Sequence, residues 1–284
     1  MDIIPSGRAL GAEVRGVDLS APLGAADMTA LRAAWDEHLV LMFRDQNLSD
    51  PQLLAFARNF GDLDPPGPNP WGTTFLPEHP ELNVISNVKG ADGVPIGTLG
   101  DGEAVWHTDM TYIETPPKAA ILYGVEVPVG QGDTYFANLF DAYDDMPDDL
   151  KQAVQGKCAI HDAAHNSAGM LRKGYAEVSD PRDTPGPHHP MVITQPETGR
   201  HALLLGRRPY AYVLGLDPAD SEDLLDRLWA HATQEKYTWV HKWQSGDVLM
   251  WQNLWVLHRR DGFDPAVRRV LHRAQIKGEQ RLAS

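Results

Sequence analysis

Hydrophobic positions along the chain follow two rhythms. Four segments repeat apolar residues at the three-to-four spacing of an amphipathic helix. Thr29 to Leu39 carries Leu31, Ala34, Trp35 and His38 on that period. Ser49 serves as the N-cap of a second helix with Pro51 in its first turn; Leu53, Leu54, Phe56, Ala57 and Phe60 form its apolar face and Gly61 ends it. A third opens at Met146-Pro147-Asp148-Asp149 and stops at Gly156, and a fourth runs from Ser221 to Gln234 with Leu224, Leu225, Leu228 and Trp229 inward. Between them lie short apolar and β-branched runs bounded by turn formers. These are Leu39–Phe43, Leu82–Ile85, Ala119–Val125, Met191–Thr194, Ala202–Leu205, Asp247–Trp251 and Val267–Ile276. Many short strands with irregular connections predict a mainly β sandwich or barrel with flanking helices. Two long Pro- and Gly-rich loops, about 62–80 and 162–190, interrupt the pattern. Loops of this length in a compact domain are usually functional covers, and 162–190, with His165, His188 and His189, is the candidate active-site lid.

Composition narrows the partners rather than the fold. At 284 residues, 42% hydrophobic and 23% charged, the chain reads as one globular domain over 1–284. Its formal net charge of −14 disfavours nucleic acid and anionic membrane as partners. An anionic small molecule answers to the field of its own pocket and stays open. Cys158 is the single cysteine, which excludes an internal disulfide and a cysteine-cluster metal site. The start lacks the basic-then-apolar pattern of a secretory signal, and no apolar run reaches spanning length, so a cytoplasmic protein is expected.

Trp106-His107-Thr108-Asp109 carries the chemistry. In an extended strand, residues two apart face the same way, so His107 and Asp109 supply two legs of a metal site. One more histidine completes the 2-His-1-carboxylate face that holds Fe(II) with positions left open. On these two residues alone, a strand histidine with a hydrogen-bonded neighbour is the plainer reading, and Zn(II) would also accept such ligands. His258, placed between the strands Asp247–Trp251 and Val267–Ile276, is the candidate third ligand. Beyond it, Arg269, Leu271 and Arg273 share one strand face, with Val270 and His272 on the other. Two arginines on an apolar strand need anions, because an unpaired buried guanidinium is costly. Their backbones lie roughly 13 Å apart, so each can grip a different anion beside one metal.

His107-x-Asp109, Gly132-Asp133-Thr134, His258, and Arg269 and Arg273 eleven and fifteen residues after it, resemble the TauD/TfdA family of Fe(II)- and 2-oxoglutarate-dependent dioxygenases. The likeness spans nearly the whole chain, including Val40-Leu-Met-Phe-Arg-Asp-Gln46, Glu114-Thr-Pro-Pro117 and Gly246-Asp-Val-Leu-Met-Trp251. It implies a double-stranded β-helix (jelly-roll) core, with His107, Asp109 and His258 as the Fe(II) ligands. It further implies that Arg269, helped by the Thr134 hydroxyl, pairs with the distal carboxylate of 2-oxoglutarate. Arg273 would contact the cosubstrate's other carboxylate or an anionic group on the substrate. The implied reaction consumes O2, releases succinate and CO2 and hydroxylates a small anionic molecule: a sulfonate, sulfate ester, aryloxyalkanoate or other carboxylate. A homo-oligomer, dimer or tetramer, is the family habit.

At the substrate end the sequence departs from taurine dioxygenase. Pro66, Asn69 and Glu103 stand where that enzyme grips its substrate, and Ala163 and Ala164 replace a bulky wall. Taurine is therefore not the expected substrate, and the small residues leave room for a larger one. Glu103, Asn69, Tyr210 and Arg273 are the candidate substrate contacts. Trp251-Gln252-Asn253 replaces the family's Trp-Asp-Asn, a change in what supports the ligands rather than in the ligands. Two further readings are a biosynthetic enzyme using the same iron for desaturation, cyclisation or N-oxidation, and a non-catalytic jelly-roll binding protein. An intact triad argues against the last.

Overall fold

The computed structural model describes residues 1–67, 74–102, 104–279 and 282. Two sheets build the core. In the larger, Ala119–Glu126 lies between Val248–Gln252 and Val270–Ile276, antiparallel to both. Val40–Phe43 extends it on one side and Asn83–Ser86 on the other. The smaller is four-stranded, ordered Thr238–His241, Thr134–Asn138, Val256–Arg260, Ala104–His107.

Alternation along the strands assigns each side chain to one of two layers. Leu122, Leu249, Trp251 and Leu271 turn inward, where they join Phe136 and Leu257 of the smaller sheet in one buried cluster. Their neighbours Ile121, Tyr123, Val248, Met250 and Ala274 turn outward onto Leu31, Trp35, Leu53, Phe56 and Phe60. The first four of those belong to the helices Ala25–His38 and Asp50–Arg58, and Phe60 follows the second. Burial on both faces explains why these strands read as continuous apolar runs. The result is the mainly β jelly-roll architecture with flanking helices. Among the described residues no helix is long and apolar enough to cross a membrane.

Element boundaries moved where tertiary contacts override local pattern. The first and last long helices begin earlier than expected, at Ala25 and Pro218, and a short helix, Leu139–Asp144, was not anticipated. Asn138 caps it by accepting from the amides of Phe140 and Asp141. Three strands of the smaller sheet, Thr134–Asn138, Thr238–His241 and Val256–Arg260, escaped the sequence reading because their apolar runs are short and mixed with histidine, arginine and threonine. The segment 162–190 is built into the fold. It holds a 3-10 turn, Pro181–Asp183, and the strand His188–Pro190, which pairs with Cys158–Ile160.

Candidate active site

The smaller sheet sets the site by register. His258 on Val256–Arg260 pairs directly across the ladder with His107 on Ala104–His107, so both imidazoles rise from one point on the same face. Their ring centroids are 4.1 Å apart. The strand carrying His107 ends there, and Asp109 lies in the following turn rather than on the strand. The departure has a cause in hydrogen bonding. The Thr108 amide donates to the carbonyl of Gly206, and the Asp109 amide donates to Oδ1 of Asn253 at 2.9 Å. Nδ2 of Asn253 donates in return to the carbonyls of Asp109 and Pro117. Asn253, fully buried, thus clamps the turn that presents the carboxylate. Gln252 turns the other way, donating to Asp36 at 2.7 Å.

His107, Asp109 and His258 bring one ligand atom each to within 4.8 Å of the others, all buried. Nε2 of His107 is 3.5 Å from Oδ1 of Asp109, and Nε2 of His258 is 3.9 Å from Oδ2. Nδ1 of His107 lies 2.7 Å from the carbonyl of Val105, which fixes the hydrogen on Nδ1 and leaves the Nε2 lone pair for a metal. Burial, with repulsion from His107, holds His258 well below the usual histidine pKa and keeps it neutral. Burial alone would raise Asp109, but the Arg273 guanidinium, with His258 and His107, outweighs it and holds the carboxyl well below the usual range. Two imidazole nitrogens and an ionised carboxylate are a donor set that suits a divalent first-row metal.

A cavity on one side of the triad is lined by Thr134, Arg260, Arg269 and Arg273 together with the apolar side chains of Ile85, Leu99, Leu122 and Trp251. Arg269 is 2% exposed, its Nη2 reaches only the carbonyl of Gly132 at 3.3 Å, and its Nε has no partner. Burial brings its pKa down to about 9, with repulsion from Arg260 acting in the same direction. A buried, under-bonded guanidinium has the character of an anion site. Thr134 accepts a hydrogen bond from Nε1 of Trp243 at 2.9 Å, which leaves its hydroxyl hydrogen available to a carboxylate. Sequence reasoning passed over Arg260. It stands two residues beyond His258 on the same strand, opposite Thr134, so the two-residue spacing was the available signal. It too is buried, with Nε and Nη1 unpartnered.

A second cavity opens beside His107 and Asp109. Arg172, Arg207 and Arg273, together with Tyr112, His161 and Asn166, contribute to its wall. Arg273 bonds Asp109 in this structure, with Nη1 at 2.9 Å from each carboxylate oxygen. Tyr210 stands outside the lining residues and stacks on His165 at 3.8 Å. Asn69 and Glu103 fall outside the described residues. Ala163 and Ala164 are both buried. Their carbonyls accept from Arg172, from Nη1 at 2.9 Å and from the backbone amide at 2.7 Å respectively.

His161, buried in that wall with His189 5.0 Å away, gives a pH prediction. Burial, and secondarily His189, lowers its pKa to about 3. From pH 6.5 down to 3 the unfolded chain therefore binds a proton that the native chain refuses. Stability should fall on acidification by up to about 1.4 kcal/mol per pH unit from this group. Urea midpoints of wild type and His161→Asn measured from pH 7 to 4 check it. The advantage of wild type should shrink as pH falls, and a pH-independent difference would contradict the assignment.

The profile of the taurine catabolism dioxygenase TauD, TfdA family matches residues 2–275. Pentalenolactone F synthase of Streptomyces avermitilis is 34% identical over 289 residues, covering 96% of this chain and 93% of that protein. The (S)-phenoxypropionate/alpha-ketoglutarate-dioxygenase of Sphingobium herbicidovorans is 34% identical over 290 residues, covering 98% and 95%. Among solved structures, AAD-2 in complex with Mn(II) and N-oxalylglycine superposes with a TM-score of 0.78 at 28% identity, covering 99% of each chain.

Proposed function

We propose, for a chain that belongs to the TauD/TfdA family of dioxygenases, that His107, Asp109 and His258 hold Fe(II) and that Arg269 with Thr134 holds the distal carboxylate of 2-oxoglutarate. The protein is an Fe(II)- and 2-oxoglutarate-dependent dioxygenase, and hydroxylation of a small anionic organic substrate is the reaction its site supports best. The observation that carries the reading is the junction of two features. A cross-strand histidine pair with an adjacent carboxylate borders a pocket that is also lined by a buried, under-bonded arginine.

Iron, 2-oxoglutarate and O2 together supply the oxidising power: the oxo acid is decarboxylated to succinate and CO2, and an oxygen atom is delivered to a substrate C–H bond. The residues of the chain position and exclude. Burial keeps His258 neutral and available as a ligand, while Arg273 keeps Asp109 ionised. Arg269 fixes one end of the cosubstrate by a charge-assisted fork, so that its other end faces the triad. Ile85, Leu122 and Trp251 line that pocket with apolar surface, where electrostatic contacts gain strength. The cavity on the Arg172 side receives the substrate, with the 162–190 segment as its wall.

A second reading keeps the iron site for desaturation, cyclisation or N-oxidation in a biosynthetic pathway. Its support is the pentalenolactone F synthase relative. The same reading of the chain includes a cytoplasmic homo-oligomer, dimer or tetramer, testable by light scattering. One experiment addresses the reaction class and its outcome. Anaerobic Fe(II) and 2-oxoglutarate should give a weak visible charge-transfer band. Aryloxyalkanoates, sulfonates and sulfate esters are then screened for stimulated succinate formation, and product masses are read. A gain of one oxygen supports hydroxylation and a loss of two hydrogens supports desaturation. Absence of both the band and 2-oxoglutarate-dependent O2 uptake would refute the reading.

A further inference from the structure

Charge pairing within the substrate-side cavity singles out one residue. Three arginines line it: Arg172, Arg207 and Arg273. Two are already matched. Arg273 is held on Asp109, and Arg207 bonds Oδ2 of Asp162 at 2.5 Å and the carbonyl of Asn166. Asp162 is shared among several other donors. Its oxygens also accept from the amides of Ala164 and His165 and lie 3.0 Å from Nδ1 of His165. Arg172 is the third. It is 6% exposed, and no carboxylate lies within ion-pair distance of it among the described residues. Its Nη1 reaches only the carbonyl of Ala163, and its Nε is buried without a partner. Its guanidinium carbon sits 3.5 Å from the centre of the Tyr112 ring, close enough for face-to-face stacking.

We infer that Arg172 is the residue that receives the anionic group of the substrate, a single planar or tetrahedral oxyanion such as a carboxylate or sulfate. The inference rests on the dioxygenase reading above and names the substrate anchor within it. Stacking on Tyr112 occupies a face of the guanidinium, so the N–H groups in its plane are what it offers a ligand. Such an edge suits two oxygens of one anion. A buried cation without an ion-pair partner is costly in the free protein, and an anionic substrate would offset that cost on binding. Arg273, by contrast, already donates to both oxygens of Asp109.

The two interpretations of Arg172, anion anchor or internal brace, differ in what they discriminate. An anchor acts on charged ligands alone; a brace affects all ligands and the fold. The test uses the anaerobic protein loaded with Fe(II) and 2-oxoglutarate, whose visible band shifts when substrate displaces metal-bound water. The probes are 2-phenoxypropionate with its neutral carboxamide, and octyl sulfate with octanol. Wild type should bind at least one anion about 100-fold more tightly than its neutral partner. In Arg172→Met that preference should vanish through weaker anion binding, with the neutral probe and the 2-oxoglutarate titration unchanged; Arg172→Lys should restore part of it. If Arg172→Met does not fold, Arg172→Lys and Arg172→Gln carry the comparison, with melting curves as the control.

Loss of the band in wild type would strike the dioxygenase reading itself. An intact band with no preference for either anion over its neutral partner overturns the Arg172 assignment alone. So does a preference that survives in Arg172→Met, or one that disappears in Arg273→Met instead.

Discussion

Replacing His107 with alanine should eliminate the visible band of the anaerobic iron and 2-oxoglutarate complex and lower turnover by roughly 10³-fold or more. The substitution removes one of two imidazoles that the sheet register places opposite one another, and no other described histidine lies with Asp109 and His258 in a metal-holding group. Backbone pairing between Ala104–His107 and Val256–Arg260 does not depend on the ring, so the variant should fold. The measurement pairs the absorption titration with a melting curve. A folded variant that retains the band would show that the metal is held elsewhere. Loss of band and of cooperative melting together would call for His107→Gln, which preserves volume and polarity while removing the nitrogen ligand.

Arg269→Met should weaken 2-oxoglutarate binding by about 2–5 kcal/mol, between one and a half and four decades in Kd. The same change should leave the ligand-free protein as stable as wild type or more so. In the free protein Arg269 is a buried cation with one long hydrogen bond and a second cation, Arg260, nearby. Replacing such a group by an apolar chain of similar volume is often neutral or stabilising. Function and stability therefore pull in opposite directions at this position. Calorimetric titration of the Mn(II)-loaded protein with 2-oxoglutarate reads the first effect, and urea unfolding without ligand reads the second. Unchanged affinity would remove Arg269 from the cosubstrate site. Marked destabilisation without ligand would make it a structural cation.

The proposed metal and cosubstrate residues were legible because a His-x-Asp pair, a distant histidine and two arginines four residues apart interrupt an otherwise apolar pattern. The larger sheet was legible because burial on both faces leaves long apolar runs such as Ala119–Glu126. Most of the smaller sheet was not, because its strands carry His258, Arg260 and Thr134 in place of apolar residues and lose the alternation that announces a strand. Nor could periodicity find Asp109 in a turn, since that depends on Asn253, 144 residues away in sequence. The substrate wall was the least legible. Arg172 stands in a Pro- and Gly-rich stretch, and its meaning emerges only from which carboxylates its neighbours have already taken.

One contact bears on how many places the metal leaves open. Arg273 donates to both oxygens of Asp109 through a single nitrogen, Nη1. A carboxylate can meet a cation through one oxygen or two. A guanidinium fixed on it competes for the second lone pair and makes the chelating mode unfavourable. With Fe(II) held as proposed by His107, Asp109 and His258, Arg273 would favour binding through a single Asp109 oxygen. A carboxylate confined to one oxygen would leave more of the ion's surroundings open to the oxo acid and dioxygen.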